Sequence, residues 1–206
     1  HCHLDFDVLS QDIDAVIDAL DTDCVHLLGV SQGARLAVRY AAARPGRLQS
    51  LIVQGVVLDD YTPEVDDDAP IPLAHYAELV SKGDMETMRR EWLAHPMMSS
   101  DPLTQAQRFE LDAMVARYRG RDLLPAKGRV EQVPATLDAL RRLGVPTLII
   151  TGEFEGAARR DHAARLCGTL PDAREVILEG CGHLSNISRP DAYNELVRRF
   201  LDGLRG

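Results

Sequence analysis

No apolar run in the 206-residue chain approaches the roughly 20 residues that cross a bilayer as a helix. The opening HCHLDFDVLS has neither a basic leader nor an apolar stretch of the secretory kind. A basic excess is lacking too. Lys and Arg number 23 against 32 Asp and Glu, a formal net charge of -9, which repels phosphate backbones and anionic lipid surfaces. Neither nucleic acid nor a membrane is therefore an expected partner. Cysteine is scarce: Cys2, Cys24, Cys167 and Cys181 show no C-x-x-C spacing, which argues against a disulfide framework and for a reducing, cytoplasmic setting.

What is present is ordinary globular material, with 45% hydrophobic and 27% charged residues. A chain of this size buries about 70% of its unfolded surface, as one domain or a domain with an insertion. Apolar positions between 9 and 20 recur at helical spacing, and CVHLLGV follows as a strand-length run. Ala34 to Ala41 give a second helix, stopped by Pro45-Gly46, and LQSLIVQG a second strand. The alternation returns late: TLDALRRLG a helix, VPTLIITG a strand, AARRDHAARLCGTLPDA a helix, REVILEG a strand and RPDAYNELVRRFLDGL a closing helix. Helix and buried strand in turn predict a mostly parallel α/β sheet flanked by helices.

Residues 60–128 break the pattern. DDYTPEVDDDAPIP is an acidic, proline-bearing linker, and three helical segments follow with no strand between them. The expected organisation is residues 1–59 as the first part of the core, 60–128 as a helical cap or lid, and 129–206 as the second part. Asp66, Asp67 and Asp68 read as a solvated loop, because three adjacent carboxylates cannot all face one ion.

The chemistry sits at strand ends. GVSQG, residues 29–33, spells G-x-S-x-G between an apolar strand and an alanine-rich helix, the setting in which a sharp turn exposes a serine hydroxyl. Such a turn calls for residues without a bulky Cβ beside Ser31. Serine needs a base, and the base an orienting acid. His183 in ILEGCGHLSN lies just past the last strand, and Glu153 and Glu155 in LIITGEFEG lie just past the one before. The order Ser, acid, His is that of the α/β-hydrolase elbow.

On these motifs the chain resembles the α/β-hydrolase superfamily, in particular its small bacterial members with a helical cap inserted between strands. HLLGVSQGARLAVRYAAARPGRLQSLIV, VPTLIITGEFE and LPDAREVILEGCGHLSNISRPDAYNELVRRFL carry the resemblance. It implies an α/β-hydrolase fold, Ser31 as nucleophile, His183 as general base, and the backbone N–H of Gln32 as an oxyanion donor. The family's acid position falls on Glu155 in place of aspartate, with Glu153 as a structural companion and Asp59 or Asp60 as other candidates for the acid. No metal and no organic cofactor is expected. Trp92, Met97 and Met98 are candidates for lining an apolar pocket above Ser31, and equally for packing the cap helices together.

Plainer readings stand beside these. Ser31 alone would serve as a helix N-cap. His26 reads as a core or edge residue, His162 as an exposed helical residue, and His1 and His3 around Cys2 as a frayed terminus. Resembling enzymes reach the serine after several further strands, about 60 residues or more at typical lengths. Here only thirty residues precede Ser31. A completing N-terminal segment or a second copy of the chain is therefore an expected partner for the strand edge at 24–28. The function implied is a serine hydrolase, most simply a carboxylic ester hydrolase, cleaving a small ester or lactone through an acyl-enzyme. The alternatives are a C–C bond hydrolase, a thioesterase, a perhydrolase, or a non-catalytic binding protein of the same fold.

Overall fold

The computed structural model describes residues 6–67, 69–124 and 136–204. Cys2 with His1 and His3, Asp68, and the expected boundary between 128 and 129 lie outside the described residues. The core runs α1 (Phe6–Ala19), β1 (Val25–Val30), α2 (Gln32–Ala43) and β2 (Leu48–Gln54). Four helices follow: α3 (Leu73–Ser81), α4 (Met85–Ala94), α5 (Pro96–Ser99) and α6 (Gln105–Arg117). The chain then resumes the alternation with α7 (Thr136–Leu140), β3 (Thr147–Gly152), α8 (Ala157–Thr169) and β4 (Ala173–Leu178), and closes on α9 (Ser185–Ser188) and α10 (Pro190–Gly203). The short α5 and α9 are additions to the elements expected from periodicity. Each is four residues long, too short to show a 3.6-residue repeat.

The four strands form one parallel sheet in the order β1-β2-β3-β4. Burial explains their sequences. Every residue of β3 and all but one of β2 are buried, as inner strands covered on both faces require, and both read as near-continuous apolar runs. In the outer strands β1 and β4 only Gly29 is buried, the other residues are half-buried or exposed, and Leu28 on β1 is 42% exposed. His26 belongs to this outer strand, with Nδ1 2.8 Å from Ser50 Oγ.

Strand alternation divides the core between two layers of helices. Leu51, Val53 and Ile149 face one side and pack with Ile17, Val38, Tyr40, Leu140 and Leu166 of α1, α2, α7 and α8. Ile52, Leu148 and Ile150 face the other and pack with Tyr193 and Phe200 of α10. Phe6 adds a start to α1 earlier than the periodicity indicated. It is buried, with the Arg39 guanidinium 3.9 Å from its ring centroid.

The inserted helices have their own small core. Met98, Leu111 and Val115 pack against Leu184, beside the loop after β4. α6 begins in a capping box, Thr104 with Gln107, and α4 is capped by Asp84, whose carboxylate accepts from Thr87 N–H. These caps satisfy helix-end donors in a segment short of other core.

Two expectations need correction. His162 is not exposed: it is 5% accessible, accepts a hydrogen bond from Leu58 N–H at 3.3 Å, and meets the Tyr61 ring edge-on at 5.5 Å. Burial, then the nearby Arg159 charge, push its imidazole below the usual histidine value against three carboxylates that pull it up. Asp67 is not merely solvated either. Its Oδ1 accepts from Ala158 N–H at 2.9 Å, in the first turn of α8, where a carboxylate suits the helix dipole.

Among the described residues no helix is long and apolar enough to cross a membrane.

Candidate active site

Three strand ends build the site. Between β1 and α2 the chain turns so sharply that Ser31 adopts φ 55° and ψ -116°, a strained conformation for a residue with a side chain. Gly29 makes the turn feasible, because a Cβ there would lie 2.3 Å from the Gly33 carbonyl oxygen. Gly33 itself has open space at the Cβ position, so the demand for a small residue falls on only one side of the serine. Ser31 N–H donates to Gln54 O at 2.8 Å, tying the turn to the end of β2.

His183 arrives on the loop after β4, and Glu155 on the loop after β3. Ser31 Oγ lies 3.0 Å from His183 Nε2, and His183 Nδ1 lies 2.7 Å from Glu155 Oε2. The carboxylate can only accept, which places the imidazole proton on Nδ1 and leaves Nε2 free to accept from the serine hydroxyl. Both partners are buried, Glu155 at 5% and His183 at 6% exposure. Burial pushes the Glu155 carboxyl up, but the hydrogen bond from His183, the charge that His183 bears when protonated, the Arg159 charge and the Gly156 N–H together hold it below its usual value.

The remaining acidic candidates are engaged elsewhere. Asp59 pairs with Arg35 and Arg39, Asp60 accepts from Leu137 N–H at 2.9 Å, and Glu153 accepts from Gly180 N–H at 2.8 Å. Glu153 thereby braces the loop that carries His183. Among the described residues no group of three or more His, Cys, Asp and Glu is arranged to hold a metal ion.

Ser31 and Gln32 open onto a cavity of about 520 Å³. Its walls include Trp92, Met97 and Met98 together with Tyr76, Met88 and Met114, so the inserted helices supply most of an apolar lining. Gln32 is the first residue of α2, where a helical N–H has no carbonyl one turn earlier to donate to. Arg35 and Arg159 add two cations to the wall.

The domain fold and the site motifs meet in a family. The model of the alpha/beta hydrolase family matches residues 1–196. The chain belongs to that family. A 2-hydroxy-6-oxononadienedioate/2-hydroxy-6-oxononatrienedioate hydrolase of Cupriavidus pinatubonensis is 31% identical over 194 residues, 90% of this chain and 65% of that protein. A hydrolase of the same name from Pseudomonas putida is 26% identical, over 95% of this chain and 68% of its own length. The alpha/beta hydrolase chain thus spans about two thirds of the curated relatives it matches. Among solved structures, MenH from S. aureus superposes with a TM-score of 0.76 at 17% identity, covering 100% of this chain and 80% of that one. A thermophilic esterase from Thermogutta terrifontis gives 0.72 at 18% identity, covering 100% and 75%. At these identities the structures show the shared fold.

Two residues of the site carried no signal in the sequence. Gln54 is fully buried at the end of β2, and its Nε2–H donates to the His183 carbonyl at 2.6 Å. Gly55 follows with φ 62°, and a Cβ there would lie 2.5 Å from His183 Cε1 and 2.9 Å from Nδ1. Gly55→Ala is therefore expected to displace the imidazole and lower the reactivity of Ser31 by about 10²-fold, the scale set by a 1 Å misplacement. Comparing fluorophosphonate labelling rates for folded Gly55→Ala and wild type checks this. Equal rates would mean the ring has room to retreat.

Proposed function

We propose that this alpha/beta hydrolase is a serine hydrolase that cleaves a small, largely apolar ester or lactone through an acyl-enzyme. The observation that carries the reading is the hydrogen-bonded series Ser31–His183–Glu155 opening onto the 520 Å³ cavity. His183 Nε2 takes the hydroxyl proton as Ser31 Oγ attacks the ester carbonyl. The Gln32 N–H donates to the oxyanion as it forms. Collapse of the tetrahedral intermediate breaks the bond to the leaving alkoxide, which receives the proton from His183. Water, deprotonated by the same imidazole, then releases the acid and restores the serine. Glu155 stays a carboxylate throughout, orienting the ring and stabilising the imidazolium.

In this reading the helices at 73–117 act as the cap, and Trp92, Met97 and Met98 contact the acyl or alcohol portion. Metal and cofactor have no role in it.

A second reading, hydrolysis of a C–C bond beside a ketone, is favoured by the names of the relatives from Cupriavidus pinatubonensis and Pseudomonas putida. The same serine, base and acid would serve, with a carbon leaving group in place of an alkoxide.

Labelling with a fluorophosphonate followed by intact mass tests both. One adduct is expected on wild type and none on Ser31→Ala, because the reagent needs an activated serine. A folded wild-type protein that takes no label would instead favour the non-catalytic binding protein. Rates on p-nitrophenyl esters, lactones, thioesters and a 2-hydroxy-6-oxo dienedioate then separate ester from C–C chemistry.

A further inference from the structure

Asp101 lies in the turn between α5 and α6, only 3% exposed. Its carboxylate accepts from three donors, all on the segment that carries His183. Oδ1 takes the Gly182 N–H at 2.8 Å and the Ser188 hydroxyl at 2.7 Å, and Oδ2 takes the Leu184 N–H at 3.0 Å. Gly182 and Leu184 bracket the histidine. A buried carboxylate is tolerated only where such donors replace water, and a backbone N–H bound to a carboxylate is among the stronger hydrogen bonds a protein makes.

The rest of the contact runs the same way. The Gln107 side-chain amide, in the first turn of α6, donates to Ile187 O at 2.6 Å, and Met98, Leu111 and Val115 pack on Leu184. From the opposite side Gln54 Nε2–H holds the His183 carbonyl. Two peptide groups flanking the imidazole are therefore gripped: 181–182 through its N–H by Asp101, and 183–184 at both ends, its N–H by Asp101 of the inserted segment and its carbonyl by Gln54 of the sheet.

We infer that Asp101 is a positioning residue for His183, through which the inserted helical segment sets the height at which Nε2 meets Ser31 Oγ. The segment is then support for the base as well as cavity wall. This rests on the proposed role of His183 as the base. Asp101 touches no substrate and transfers no proton. Its effect passes through the backbone of residues 182–184.

Asp101→Asn and Asp101→Ala in the full chain test the inference, each compared with wild type below its own unfolding midpoint. Asparagine keeps one oxygen for Gly182 and Ser188 but turns an NH2 group toward the Leu184 N–H, donor against donor. The alanine variant removes all three acceptor contacts. The expected result is a kcat for p-nitrophenyl butyrate lowered on the order of 10²-fold in the alanine variant, less in the asparagine variant, with KM changed by no more than about threefold. The low-field proton NMR resonance of the His183 Nδ1–H against Glu155, identified by its loss in His183→Gln, is expected to shift or broaden in both.

A purely structural role predicts otherwise: a lower unfolding midpoint with kcat and the resonance as in wild type, and that result overturns the inference. Should the alanine variant fail to fold, the near-isosteric asparagine variant decides by the same two readouts. If wild type turns over no ester, the proposed function falls, while the resonance still reports whether Asp101 holds the ring.

Discussion

Replacing His183 with alanine is expected to lower kcat for ester hydrolysis by about 10⁵- to 10⁶-fold, the scale of losing the base from a serine triad, with little change in KM. The argument is geometric. Ser31 Oγ has its hydrogen bond to His183 Nε2 at 3.0 Å, and a serine hydroxyl without a base is a weak nucleophile. The cavity wall is built by other residues, so substrate binding should survive. The loop should also keep its course, since Asp101 and Gln54 hold the backbone around position 183 and not the ring. What the variant leaves is a buried Glu155 carboxylate without its imidazole partner, retaining Gly156 N–H at 3.1 Å and Arg159 at 4.0 Å. A group stripped of one partner in this way costs about 1–3 kcal/mol of stability. Turnover on p-nitrophenyl esters and a urea unfolding curve check the two parts separately. A folded variant that keeps a tenth or more of the wild-type rate would show that another group takes the serine proton.

Much of this architecture was legible from residue pattern. LIV in β2 and LII in β3 announce strands buried on both faces, whereas CVHLLGV reads as equally buried and only its place in the sheet shows β1, with Leu28 42% exposed, to be an outer strand. Ser31, Glu155 and His183 each follow a strand, and in a parallel sheet the ends of successive strands lie side by side, which is why positions 152 residues apart come within 3.0 Å. The supports were not legible. Gln54 reaches His183 across 129 positions and Asp101 reaches Gly182 across 81, and a lone glutamine or aspartate carries no spacing that reveals such a partner. Gly55 reads as an ordinary turn after a strand until the imidazole is seen against its α-carbon. His162 was misread for a related reason. Its neighbours Arg159, Arg160 and Asp161 suggest a solvated face, yet His162, Ala163 and Leu166 form the buried stripe of α8, a stripe too narrow for periodicity to expose.

Glu155→Gln is expected to lower kcat by about 10³- to 10⁴-fold with the fold retained, on the scale of making the same change at the acid of a serine triad. The two oxygens of Glu155 accept from different donors, Oε2 from His183 Nδ1–H at 2.7 Å and Oε1 from Gly156 N–H at 3.1 Å. Glutamine has one oxygen for both. If that oxygen turns to Gly156, its NH2 group faces Nδ1 and moves the ring proton to Nε2, the tautomer that cannot take a proton from Ser31. If it turns to His183, the imidazolium formed during attack still loses its counter-charge. The stability consequence has a definite sign. Because the native Glu155 carboxyl is held below its ordinary 4.5, its ionised form stabilises the fold fully above that value, and this contribution disappears as pH falls through the lowered native one. Wild type should therefore lose more unfolding free energy than Glu155→Gln on acidification, read from urea midpoints at neutral and acidic pH. Glu155→Asp separates charge from reach: it keeps the carboxylate but withdraws it by one methylene, for a loss on the order of 10²-fold. An aspartate variant poorer than the glutamine one would mean that the length of Glu155, more than its charge, seats the imidazole.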